Sequence, residues 1–199
     1  MMESARALSR SSVLSDILWP AHGFARPVIL AIAGSVALAV AAKIQVPFWP
    51  VPMTMQSLVV LLIGLAYGSR LGIATVLLYL AQGLAGLPVF AGASAGPAYM
   101  AGPTGGYLVG FVLAAGCTGW LAERGWDRTL GRAAAAITIG HVLLFVPGVL
   151  WLAVLFGWTK AIAFGVTPFV FATVFKTALG IALIGALWPP LRKRSTQAQ

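Results

Sequence analysis

The chain has 199 residues, of which 60% are hydrophobic and only 9% are charged, and its formal net charge is +9. A soluble domain is about one-quarter charged, and no soluble fold buries this much apolar surface, so the solvent for most of this chain is lipid. A charge of this sign also suits nucleic acid, and the placement of the basic residues along the chain decides between the two.

The first residues hold Arg6, Arg10 and Arg26 together with Glu3 and Asp16. They lack an apolar run of about 7–15 residues ending in a small-residue cleavage site, so residues 1–26 are expected to be a retained cytoplasmic lead-in. Hydropathy then predicts an all-α integral membrane protein with six transmembrane helices, at about 27–45, 56–68, 71–86, 104–122, 133–156 and 165–188, in one membrane domain over 27–188. A span needs roughly 20 residues, so the short second and third helices are expected to be completed by loop segments. Residues 189–199 read as a basic cytoplasmic tail.

Six spans place Arg6, Arg10, Arg26, Arg70, Arg124, Arg128, Arg132, Arg192, Lys193 and Arg194 on one side, with Lys43, Lys160 and Lys176 in the other half. Basic residues favour the cytoplasm, so both termini are expected there. The net charge is then topology plus attraction to the anionic heads of the lipid bilayer, and nucleic acid drops out as a partner.

In the first helix Ala33, Ala37 and Ala41 recur every four residues and form a small-residue stripe. Small residues let helices approach closely in lipid, and the stripe suits either a partner subunit or a helix of this chain. The connection 43–56 carries Pro47, Pro50 and Pro52 among Phe48, Trp49, Met53 and Met55, and the connection 86–108 is glycine-rich and uncharged. Irregular backbone at membrane depth is tolerated where it is buried or lines a cavity, so both segments read as folded lids or as plugs beside short helices.

Thr54 and Gln56 are the polar members of "VPMTMQ", and the Gln56 amide offers both a donor and an acceptor. Trp49 and Phe48 offer flat apolar walls. "GPTGGYL" (102–108) opens the fourth helix with Pro103 and the amides of Gly105 and Gly106, where an anion or carbonyl is favoured, and the Tyr107 hydroxyl either closes that site or anchors the interface. His141, in the fifth helix, reads as a satisfied structural histidine. Lys176 stands about eight residues, or roughly 12 Å, into the sixth helix, where a charge faces a cavity or a partner, or snorkels to water.

Several chemistries are missing. The four carboxylates Glu3, Asp16, Glu123 and Asp127 all fall outside the spans, so no acidic relay for a proton or sodium ion is present. The sequence contains no P-loop. Cys117 is the single cysteine, and the two histidines, His22 and His141, are far apart, so no metal or other cofactor is expected. The chain reads as no enzyme, and any uphill transport draws its energy from a partner.

In "VPFWPVPMTMQ", "YLAQGLAGLPVFAG", "AGPTGGYLVGF" and the "PF…K" segment ending at Lys176, the sequence resembles the BioY family, the biotin-specific substrate-binding (S) subunits of energy-coupling-factor transporters. The resemblance implies a six-helix S-component fold in the inner (plasma) membrane that captures biotin from outside. It also implies a membrane-embedded T subunit and an ATPase pair, with Ala33, Ala37 and Ala41 docking the T subunit. One position departs from the family pattern: Thr173 stands where an aspartate is usual, three residues before the lysine. Its hydroxyl can bond a ureido group but cannot neutralise Lys176. Biotin suits such a pocket, with its bicyclic body against Trp49 and Phe48, its ureido group at Gln56 and Thr173, and its carboxylate at a cation or helix start. An S subunit for another small vitamin and a passive channel are the competing readings, and association of several copies is left open.

Overall fold

The computed structural model describes residues 13–19 and 23–197, with side chains up to Pro189. Arg6, Arg10 and His22 lie outside the described residues, as do the side chains of Arg192, Lys193 and Arg194. In chain order the helices are α1 (Leu14–Leu18), α2 (Ala25–Lys43), α3 (Gln56–Leu84), α4 (Gly96–Ala101), α5 (Gly105–Glu123), α6 (Leu130–Phe156), α7 (Trp158–Gly165) and α8 (Phe169–Gln197). Five of them, α2, α3, α5, α6 and α8, are long and apolar enough to cross a membrane.

The second and third predicted helices are the two limbs of α3. At Gly68 the backbone leaves the helix, with φ 81° and ψ 178°, a region that is essentially restricted to glycine. The chain reverses there. Gln56 Nε2 donates to Tyr79 Oη at 2.5 Å although 23 positions separate them, whereas a straight helix would hold them roughly 35 Å apart. A methyl group on Gly72 would lie 3.3 Å from the Cα of Gly64, so the limbs touch backbone to backbone. Glu123, the last residue of α5, secures the turn: its Oε1 accepts from the Ser69 amide and the Ser69 hydroxyl, both at 2.7 Å. These bonds satisfy donors that the start of the second limb would otherwise leave open.

Both limbs pack on α5, which lies between them and α6. Small residues allow that approach: a Cβ at Gly110 would sit 2.8 Å from the Cα of Leu144 on α6. Helix α2 turns Gly34, Ser35, Leu38, Ala41 and Ala42 inward and leaves Ile29, Ile32, Val36 and Val40 exposed. The small-residue stripe therefore divides, because Ala33 and Ala37 are exposed while Ala41 is buried within this chain.

The connections are more ordered than the sequence suggests. Residues 43–56 hold a two-stranded antiparallel ladder, β1 (Gln45–Val46) and β2 (Met53–Thr54), in the register Gln45↔Thr54 and Val46↔Met53. The three prolines lie between the strands, where no ladder donor is required of them. The short helix α4 interrupts the second connection. Residues 157–165 carry α7, and α8 begins at Phe169 where the sequence suggests 165.

The two ends of the bundle differ in chemistry. At one end lie the Gly68 turn, Glu123, the Asp16–Arg26 ion pair at 2.8 Å, and buried Asp127, which accepts from Trp188 Nε1 at 3.1 Å. Arg70, Arg124 and Arg128 belong to the same end. At the opposite end the two long connections and α7 cover the bundle.

Candidate ligand-binding site

Beneath those connections is a narrow, partly enclosed cavity of about 40 Å³. This is well below the roughly 300–1,000 Å³ usual for small-molecule sites, so a ligand of vitamin size requires the roof or walls to move apart. Its apolar wall comes from Phe111, Leu144, Phe145 and Phe169, and its roof from Val51, Pro52, Ala91 and Tyr99. Its polar members are Thr54, Gln56, Ser57, Thr104, Tyr107 and Lys176.

Lys176 lies in α8 and is 6% exposed. Its ammonium donates to the Thr54 carbonyl at 2.6 Å and the Ser57 hydroxyl at 3.0 Å. One of its three N–H groups is therefore held by the end of β2 and one by the start of α3, and the third, without a partner among the described residues, is open to an acceptor in the cavity that the residue lines. Ser57 is one of the lining side chains that sequence reasoning missed. It follows Gln56 directly, but nothing in the sequence signals a partner 119 positions away.

Gln56 is fixed from both sides. Its Oε1 accepts from the Thr54 hydroxyl at 3.1 Å, its Nε2 donates to Tyr79, and the Tyr79 hydroxyl passes on to the Val89 carbonyl at 3.0 Å. The amide orientation is thereby set, with one N–H and one lone pair left for a ligand. The start of α3 adjoins the same space, since Gln56 and Ser57 both line it, so the positive end of the helix dipole and the ammonium lie at one end of the cavity.

The structure brings Thr54, Gln56, Tyr107 and Lys176 together around one cavity. The Tyr107 hydroxyl is already committed, donating to the Gly165 carbonyl at 2.8 Å and so tying α5 to α7. Thr173 is half-buried one turn before Lys176 and does not line the cavity. Gly105 does not line it either: its amide donates to the Gly102 carbonyl at 3.0 Å, so it is not a bare donor. Trp49 and Phe48 form no part of the wall, because their loop turns them outward. Trp49 is 75% exposed and rests on the rings of Phe156 and Phe164, each at 6.1 Å. His141 Nδ1 shares a 3.2 Å hydrogen bond with the Thr177 hydroxyl, but its buried Nε2 has no hydrogen-bond partner among the described residues, so the histidine is only half satisfied.

Residues 9–193 match the BioY family along nearly the whole chain. The chain belongs to the BioY family. Among its BioY relatives is the probable biotin transporter BioY of Pyrococcus horikoshii, 38% identical over 144 residues that cover 72% of this chain and 85% of the relative. The biotin transporter BioY2 of Lactococcus lactis is 36% identical, with 77% and 87% covered, and the biotin transporter BioY of Rhizobium etli is 38% identical, with 75% and 84% covered. The crystal structure of the S-component for biotin from an ECF-type ABC transporter superposes with a TM-score of 0.68 at 20% identity, covering 82% of this chain and 93% of that one. At that identity the superposition establishes a shared fold, so this BioY chain has the S-component architecture.

Proposed function

We propose that this protein is the substrate-binding subunit of an energy-coupling-factor transporter, that it takes up biotin, and that it catalyses no reaction of its own. Membership of the BioY family carries the vitamin, and one observation carries the site: the buried ammonium of Lys176, held by Thr54 and Ser57 with one donor facing the cavity. An anionic, acceptor-rich ligand answers that donor. The free N–H and lone pair of Gln56 match a ureido group, and Phe111, Phe145 and Phe169 supply an apolar bed for a bicyclic body.

The Gly68 reversal supports a count of six spans, with α3 contributing two. Arg26, Arg70, Arg124 and Arg128 gather at the end opposite the cavity, which by the distribution of basic residues is cytoplasmic. The ligand then enters from outside, beneath the two long connections. The exposed side of α2 bearing Ala33 and Ala37 is the docking face for the T subunit, which brings the ATPase pair, and Ala41 packs inside the chain.

The test is a titration of the purified protein with biotin, a biotin analogue lacking the carboxylate, and two unrelated vitamins. Biotin is expected to bind with saturation, the analogue at least tenfold more weakly, and the other vitamins not at all. Equal binding of all four, or ligand-independent flux of small solutes in liposomes, rejects the assignment.

A further inference from the structure

Lys43, the last residue of α2, does not line the cavity, yet its ammonium is fully engaged. It donates to the carbonyls of Pro88 at 2.7 Å, Phe90 at 3.0 Å and Gly92. An ammonium has three donors, so all of them are assigned and none is left for a ligand. Three acceptors on one nitrogen require the segment to curl round the ammonium, and it does so through bends at Pro88, Phe90 and Ala91 and a left-handed Gly92 with φ 66°. The carbonyl between the first two, that of Val89, accepts instead from the Tyr79 hydroxyl at 3.0 Å. Residues 88–92 are thus held as a curled loop, by a lysine at its centre and a tyrosine at Val89.

This segment is the roof. Ala91 lines the cavity and is buried. Phe90 is 1% exposed, stacks on cavity-lining Tyr99 at 4.9 Å and meets Tyr79 edge-on at 5.6 Å. Tyr79 in turn receives the bond from Gln56, so the roof and the polar end of the cavity share one hydrogen-bonded chain. Apart from Lys43, the backbone of 88–92 is tied by the Tyr79 hydroxyl at Val89, by a hydrogen bond between Tyr99 and the Ala91 backbone, and by the short-range bonds Val89 to Leu87, Phe90 to Ser94 and Ser94 to Ala91. Removing the ammonium leaves three carbonyls at once without their donor.

We infer that Lys43 is a positioning residue that holds the 88–92 roof over the cavity and thereby sets how long a bound ligand stays. The inference rests on the reading of the cavity as the biotin site. Arginine does not reproduce the arrangement, because its planar fork cannot surround one point with three donors as an ammonium does.

The experiment compares the purified full chain as wild type, Lys43→Met and Lys43→Arg, with Lys160→Met on α7 as a control for loss of a surface charge. Amide hydrogen exchange without ligand is expected to be at least tenfold faster at Phe90 and Ser94 in Lys43→Met. Chased radiolabelled biotin is expected to leave Lys43→Met at least threefold faster, with association within twofold of wild type and Lys43→Arg in between. Faster exchange with biotin departure accelerated less than threefold reduces Lys43 to a structural role and overturns the inference, as does unchanged exchange. Should Lys43→Met fail to fold, Lys43→Arg decides: faster exchange at Phe90 and Ser94 with faster biotin departure than wild type supports the inference, and unchanged departure overturns it. If wild type itself retains no biotin, the functional reading falls, and the exchange measurement still decides whether Lys43 holds the roof.

Discussion

Replacing Lys176 with methionine separates a ligand contact from a structural one. Methionine keeps the unbranched stem and removes the ammonium, so the packing of α8 against α3 changes little. Two effects on the ligand-free protein oppose each other. The Thr54 carbonyl and Ser57 hydroxyl lose a charged donor, at about 1.5–3 kcal/mol each at most. Against this, the desolvation of a buried ammonium, several kcal/mol, is no longer incurred. The net change in stability is therefore small, within about 2 kcal/mol. Binding has no such compensation. The donor facing the cavity is worth about 1.5–3 kcal/mol to an acceptor on the ligand, which corresponds to a dissociation constant raised roughly 10- to 150-fold. Calorimetric titration with biotin measures the affinity, and thermal unfolding of the ligand-free protein measures the stability. A variant that melts near wild type and still binds within threefold removes Lys176 from the site. A variant that loses both folding and binding would show instead that the ammonium is chiefly a strut between α8 and the start of α3.

Three further outcomes follow from the same geometry. Gly68→Ala forces a side chain into a glycine-only conformation with its Cβ 2.8 Å from Glu123 Oε1, and is expected to lower stability by about 1–3 kcal/mol, read as a fall in melting temperature; an unchanged value would mean that α3 does not reverse there. Tyr107→Phe removes the donor to the Gly165 carbonyl and is expected to cost about 1–1.5 kcal/mol of stability while weakening biotin binding less than tenfold, since the hydroxyl is turned to α7. Trp49→Ala is expected to leave the biotin dissociation constant within threefold, because Trp49 rests on Phe156 and Phe164 outside the cavity. A tenfold loss by titration would place its indole on the ligand after all.

What could be read from the sequence divides along a physical line. In lipid, an apolar side chain gains little by being buried, because the surrounding medium is as apolar as a protein core. Phe171 and Phe175, which flank Lys176, are 86% and 63% exposed, whereas Phe169 is 7% exposed and lines the cavity, and nothing in their chemistry separates them. This is why Phe48 and Trp49 looked like walls while the real walls, Phe111, Phe145 and Phe169, went unmarked. Polar groups behave in the opposite way. An ammonium or amide at membrane depth is excluded by the lipid, so Lys176 and Gln56 had to turn inward, and both stand at the cavity. The backbone follows the same rule: the proline- and glycine-rich connections could stay uncharged only by satisfying their carbonyls internally. Which group would do so was not legible, because Lys43 meets Gly92 across 49 positions and Gln56 meets Tyr79 only after the chain has turned at Gly68. The reversal itself left only a faint mark, a glycine between two short hydrophobic runs. A membrane sequence of this kind therefore discloses its site through the groups that lipid rejects, and the shape of the apolar chamber around them comes only from the fold.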